Sequence, residues 1–152
     1  MTVHFRPATI LNSLIGAWAI ERRVEDAASL TGSATFERLA ENEAVYHERG
    51  TLRLSSGYEA AAERKYIYRQ CADGIAVFFD EHPRRLFHEA KLIRDASGCL
   101  HGEAEHVCAE DTYLTQYQFD PAARFQVRHR VRGPRKVYTM VTFYRRIGDA
   151  GR

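Results

Sequence analysis

The sequence predicts an all-β fold, an up-and-down barrel of about ten antiparallel strands with one short N-terminal helix. Three observations lead there. Turn-forming clusters recur along the whole chain: AASLTGS (27–33), ENE (41–43), SSG (55–57), ADG (72–74), EHPR (81–84), DASG (95–98), ED (110–111), DPAA (120–123) and GP (133–134). The segments between these turns are short and alternate apolar with polar residues, the period of a half-buried strand. Only PATILNSLIG (7–16) differs, with Pro7 near its start and Gly16 just past its end bracketing a helix. Many short strands joined by tight turns leave exposed edges unless the sheet closes, so a barrel with room for a ligand is expected. An open two-sheet sandwich is the alternative. No linker or repeat interrupts the 152 residues, which points to one domain spanning 1–152.

Alternation assigns faces strand by strand. EAVYHERGTLRL (43–54) puts Tyr46, Glu48, Gly50, Leu52 and Leu54 on one row, and ERKYIYRQ (63–70) does the same for Arg64, Tyr66 and Tyr68. In RLFHEAKLI (85–93), Glu89 and Lys91 point out, so Leu86, His88, Ala90 and Leu92 are expected inside. In HGEAEHVCA (101–109), Gly102, Ala104, His106 and Cys108 face in. Tyr113, Tyr117 and Phe119 follow by the same logic. RFQVRHRV (124–131) leaves Phe125, Val127, His129 and Val131 inside. In VYTMVTFYRR (137–146) neither row is clearly the solvent face.

Residues equidistant from a hairpin centre pair with one another. A turn centred on Ser56 sets Glu48 opposite Arg64, and one centred on Ser97 sets His88 opposite His106. Mirroring the GP turn sets Tyr138 opposite His129, which favours the Tyr138 and Met140 row as inward.

The totals exclude several classes. Net charge is only +2, from 22 basic and 20 acidic residues, so no nucleic-acid partner is announced. The charge is uneven, since Pro121 to Arg146 lacks acids while His101 to Asp120 lacks Lys and Arg. Adjacent acidic and basic strands are expected to neutralise each other across the sheet. Cys71, Cys99 and Cys108 are odd in number and form no CxxC, which argues against a disulfide scaffold or zinc ribbon. The opening MTVHFRPATILNSLIGAWAI has too short an apolar run, and an ill-placed Arg6, for a signal peptide. No other segment approaches membrane-spanning length, so a cytoplasmic protein is expected.

An interior holding Glu48, Arg64, Tyr68, His88, His106, Cys108, Tyr113, Tyr117 and His129 is too polar for a dry core. A hydrated pocket for a small ligand accounts for it, and a set of ligand-free structural networks is the plainer alternative. HVCAEDTY (106–113) then reads as a strand end and a turn. His106 and Cys108 lie about 7 Å apart along the strand, too far for direct proton transfer. Asp111 sits at the turn. Arg135 and Lys136 at the rim offer charge to a carboxylate or phosphate, beside Tyr138.

The expected function is therefore non-catalytic binding of a small anionic or amphipathic molecule, with no cofactor assigned and no metal ligand. One alternative is an isomerase or cyclase using His and Tyr acid–base chemistry. Another is a metal or haem site at His88, His106 and His129. A protein-interaction barrel is a third, with Val137, Val141 and Phe143 as a homodimer face.

Two resemblances add to this reading. Gly16-Ala17-Trp18 opens the first strand and Tyr144-Arg145-Arg146 ends the last, which looks like the GxW and late-Arg signature of lipocalins, or calycins. That resemblance implies that Trp18 and one terminal Arg close the barrel floor as structural residues. Across nearly the whole chain, LIGAW, YHERGTL, RKYIY, AVFFDEHPRRLFH, HVCAEDTY and GPRKVYTMVTFYRR resemble an uncharacterised bacterial family, domain of unknown function 6314. By that resemblance His88, His106, Cys108, Asp111, Tyr113, Arg135, Lys136 and Tyr138 match recurring motifs without assigned roles. EHPRRLFH departs from it where a tighter glycine-containing turn is expected, and Pro83 bears on the geometry near His88.

Overall fold

The computed structural model describes residues 5–147. A 3₁₀ turn at Pro7–Thr9 leads into α1 (Ile10–Leu14), followed by eleven strands in one antiparallel sheet. They are β1 (Gly16–Val24), β2 (Ala28–Ala40), β3 (Glu43–Leu54), β4 (Glu59–Gln70), β5 (Gly74–Phe79), β6 (Arg85–Lys91), β7 (Ile93–Arg94), β8 (Leu100–Cys108), β9 (Asp111–Asp120), β10 (Arg124–Arg132) and β11 (Val137–Arg146). Each strand pairs with its chain neighbour, except that β6 and β7 do not pair and β1 joins β11. The result is a nearly closed up-and-down barrel. None of the described helices is long and apolar enough to cross a membrane.

Closure depends on β6 and its continuation β7. β6 pairs with β5, Leu92 interrupts the strand, and β7 pairs with β8 through Ile93–His101 and Arg94–Leu100. That interruption is why the expected ten strands are eleven. Gly102 of β8 permits the close approach, because a Cβ there would lie 2.6 Å from the Lys91 carbonyl oxygen.

A helix of five residues is not stable alone, and packing holds this one. Ile10, Leu11 and Leu14 are buried among Trp18, Phe36, Ile75, Leu100, Phe119 and Phe125 at one end of the barrel. Gln70 of β4 accepts from the Leu11 backbone N–H at 2.8 Å and donates to the Pro7 carbonyl at 2.9 Å. Trp18 donates to the Leu14 carbonyl at 2.9 Å, and the Arg146 guanidinium lies 4.0 Å over its ring. Arg146 also donates to the Ile15 and Ser13 carbonyls. The terminal arginine that closes the floor is therefore Arg146.

Four sequence expectations need correction. AASLTGS is not a turn: the chain reverses around Glu25–Ala27, and β2 runs through Leu30 and Gly32. Its small residues serve a close strand crossing, since a Cβ on Gly32 would meet the Arg49 carbonyl at 2.0 Å. Leu86 is exposed, because a register shift between Val77 and Phe78 turns both Phe87 and His88 inward. Tyr138 pairs with Val131, and His129 with Met140, because the turn runs from Gly133 to Lys136 and moves the hairpin centre. The acidic and basic stretches do not neutralise each other generally. β9 separates Glu103 and Glu105 of β8 from β10, and among the described residues the ion pairs joining the two stretches are at the strand ends, Arg124 with Asp120 at 3.5 Å and Lys136 with Asp111 at 3.1 Å.

Candidate functional site: a cavity at the end opposite the helix

The barrel interior has three levels. The helix end is apolar, as described. Above it lies a polar layer built from inward rows of β1, β3, β4, β6, β9 and β11. Arg22 and Glu48 form a bidentate pair with bonds of 2.7 and 2.8 Å, and Arg22 also donates to Thr142 Oγ1 at 2.7 Å. Tyr46 donates to Glu48 at 2.5 Å, and its oxygen lies 2.7 Å from that of Tyr144. Arg64 sits directly opposite Glu48 in the β3–β4 register, at 3.7 Å. His88 Nε2 lies 2.5 Å from the Tyr117 hydroxyl. These groups and Tyr68 surround a void of about 20 Å³, room for roughly one water.

The third level is a cavity of about 360 Å³ at the end away from the helix. Its wall is aromatic, with Tyr66, Phe79, Phe87, Tyr113 and Tyr138, and Met140 beside them. Phe87 is central. It stacks on Phe79 at 4.8 Å and on His129 at 6.2 Å, and His106 meets it edge-on at 5.3 Å. Polar atoms enter through Arg64, His106, His129 and, at the mouth, Arg85 and Cys108.

Of the sequence-predicted residues, Arg64, His106, Cys108, Tyr113, His129 and Tyr138 line this cavity. Glu48, Tyr68, His88 and Tyr117 line the smaller void below it. Lys136 is held at the rim by Asp111 at 3.1 Å, with its ammonium 5.8 Å from the Tyr113 ring. Arg135 is exposed and lies outside the cavity wall. His88 and His106 do not form a cross-strand couple, because β6 carries no ladder to β8; both rings pack on Phe87 instead. The sequence reading missed Arg22, although alternation from Trp18 through Ile20 points it inward. It also missed Phe87, which only the bulge brings inside.

Electrostatics separate the groups further. Burial works against the Arg22 charge, but its bonds to Glu48 leave it more firmly protonated than an ordinary arginine. Burial likewise opposes the Glu48 charge, yet Arg22 outweighs it and holds the carboxyl below the usual range. Burial pushes the Tyr46, Tyr68 and Tyr117 hydroxyls well up, and that of Tyr144 to about 12. His88 is lowered to about 3 by burial and the nearby His129 and His106. His129 is lowered to about 4 by burial and by Arg22 and Arg64. Both imidazoles are neutral at pH 7.

Among the described residues two buried ring nitrogens have no hydrogen-bond partner, His88 Nδ1 and His106 Nε2. His129 Nδ1 is satisfied by Thr115 at 2.9 Å. The three histidines do not bring donor atoms together as a metal site would require. Among the described residues, the group that converges is Asp95, Cys99 and His101, on the β7–β8 hairpin. There Asp95 Oδ1 accepts from Ser97 N–H at 2.8 Å and Cys99 N–H at 3.1 Å, a turn-closing arrangement.

The chain belongs to the family of unknown function DUF6314, whose match spans residues 14–146. No curated protein matches the sequence. Among solved structures it is similar to EF1p2_mFAP2b bound to DFHBI, with 13% identity, 94% of this chain and 99% of that chain covered, and a TM-score of 0.46. It is also similar to the redesigned β-barrel mFAP1 bound to DFHBI, at 15% identity, 91% and 99% coverage and a TM-score of 0.39. A de novo designed fluorescence-activating β-barrel follows at 12% identity, 90% and 96% coverage and a TM-score of 0.36. Likeness at these scores transfers nothing about a ligand to this chain.

Proposed function

We propose that the barrel binds, without turning it over, a small anionic or amphipathic molecule in the cavity above Phe87. The observation that carries this reading is a surplus guanidinium. Glu48 is fully engaged by Arg22, so Arg64, at 3.7 Å from the same carboxylate, brings a second positive charge that no second carboxylate among the described residues balances. Its side chain is 40% exposed and lies on the cavity wall. An anionic group on the ligand would neutralise it, the aromatic wall would take the apolar body, and His106 Nε2 would gain its missing partner.

The acid–base enzyme is the second reading, favoured by the short His88–Tyr117 contact. Against it, an effective general base has a pKa near the working pH, and His88 and His129 stand far below neutrality. The free thiols of Cys71, Cys99 and Cys108 support a reducing, cytoplasmic setting.

Native mass spectrometry of freshly purified protein, with metal analysis and an absorption spectrum, tests the reading. A stoichiometric organic acid without metal supports it. Titration with aromatic carboxylates and their neutral amides follows. Arg64→Met should weaken the carboxylates about tenfold or more and leave the amides unchanged. Equal affinity for both, or turnover of either compound, would sink the proposal.

A further inference from the structure

The outer face of β8, β9 and β10 carries charges that contacts within the chain leave largely unused. Arg128, Arg130 and Arg132 stand outward on β10, exposed, and among the described residues none has an ion-pair partner. Their flanking neighbours are uncharged: Gln116, Leu114 and Thr112 on β9, and Val141, Thr139 and Val137 on β11. Beyond β9, Glu103 and Glu105 stand outward and exposed on β8. Glu103 accepts one bond from Gln116 at 3.2 Å, and Glu105 has no partner among the described residues. The register places these charges in level rows, Glu103–Gln116–Arg128 and Glu105–Leu114–Arg130. Like charges recur along β10 about every 6.7 Å, an arrangement that repels itself unless opposite charge lies over it.

We propose that two copies of this chain meet on this face, about a two-fold axis parallel to β9. Rotation about that axis carries β8 of one copy over β10 of the other at the same height. Glu103 then faces Arg128 of the partner subunit, and Glu105 faces Arg130 of the partner subunit. Each pair occurs twice by symmetry, with Leu114 and Gln116 on the axis. An axis running across the strands would instead set β8 against β8 and β10 against β10, acid on acid and base on base. The order of charges therefore selects one geometry.

It also favours a second copy over a nucleic acid. A phosphate backbone lying on Arg128 and Arg130 would pass within about 10 Å of Glu103 and Glu105, two strand spacings away. Because a barrel is convex, only β9 and its flanking strands come into contact. The contact is small, solvent reaches its ion pairs, and association is consequently weak and salt-sensitive. Neither the cavity nor its occupant enters into this pairing.

The experiment is sedimentation equilibrium on the full chain, with circular dichroism confirming that every variant is folded. The wild type should dimerise, with a dissociation constant rising about tenfold or more between about 50 mM and about 500 mM NaCl. Arg128→Glu with Arg130→Glu should be monomeric, and so should Glu103→Arg with Glu105→Arg. Mixing the two variants should restore a dimer containing one of each, because an all-acidic face then meets an all-basic one. A wild type that stays monomeric at every concentration overturns the proposal. So does a dimer that survives both reversals, which would point to Val137 and Phe143. A mixture that remains monomeric, or a wild type that pairs only with an oligonucleotide, overturns it equally.

Discussion

Arg22 and Glu48 meet inside the barrel through two parallel hydrogen bonds, although β2 lies between the strands that carry them. Both side chains are almost wholly buried, at 7% and 3% exposure. Such a pair offsets its own desolvation only while both members are present. Arg22→Met should therefore cost about 3–5 kcal/mol, since it leaves a buried carboxylate with Arg64 as its remaining cation. Arg22→Met combined with Glu48→Leu should recover most of that loss. Urea unfolding of the three proteins decides it, and a double variant as unstable as the single one contradicts the argument.

The buried histidines make stability depend on pH in a defined window. His88 and His129 have pKa values of about 3 and about 4 when folded, against 6.5 when free. Below pH 6.5 the unfolded chain takes up protons that the folded chain refuses. The stability these neutral rings permit is thus intact above 6.5 and is lost as pH falls towards about 4. The slope approaches about 1.4 kcal/mol per pH unit for each ring. Urea midpoints measured from pH 8 to pH 5 should fall, and His88→Phe with His129→Leu should flatten the curve. A slope unchanged in that variant would assign the effect to other groups.

His106 contributes an unsatisfied nitrogen where an apolar ring would fit. Its Nε2 is buried without a partner, and its imidazole already packs edge-on against Phe87. His106→Phe should leave stability unchanged or raise it by up to about 1 kcal/mol, while weakening whatever the cavity binds. Thermal unfolding and ligand titration on the same sample check both halves. A large loss of stability would mean that His106 belongs to a structural network.

Arg146 closes the barrel floor by covering Trp18 and satisfying two carbonyls at the end of α1. Lysine retains the charge but cannot reproduce the planar fork, so Arg146→Lys should cost about 1–3 kcal/mol. Trp18 is the sole tryptophan, so its fluorescence should follow the melt directly and shift in the variant.

Much of the architecture was legible because strand alternation and hairpin mirroring are local rules. Turn spacing predicts the meander, and the SSG turn predicts that Glu48 faces Arg64, as the register has it. The lipocalin resemblance, not a local rule, implies that Trp18 and one terminal arginine close the floor, and Arg146 lies over the Trp18 ring there. Local rules failed where a strand deviates by one residue. The shift at Val77 and Phe78 brings Phe87 inward and sends Leu86 out, and no composition signal marks it. A longer turn at Gly133–Lys136 likewise moved the partner of His129 from Tyr138 to Met140.

The chain read alone therefore yields the strand count to within one, most of the inward rows and the polarity of the interior. Which inward residues share a chamber follows from closure of the barrel. Arg22 is far from Glu48 in the chain and not on its neighbouring strand, so no hairpin rule relates them. Curvature of the sheet brings them together, and their pairing leaves Arg64 with charge to offer. The three histidines, similar in sequence, part for the same reason. Burial and neighbouring charge hold His88 and His129 neutral, and the packing around Phe87 leaves His106 with a nitrogen on the cavity wall still to be satisfied.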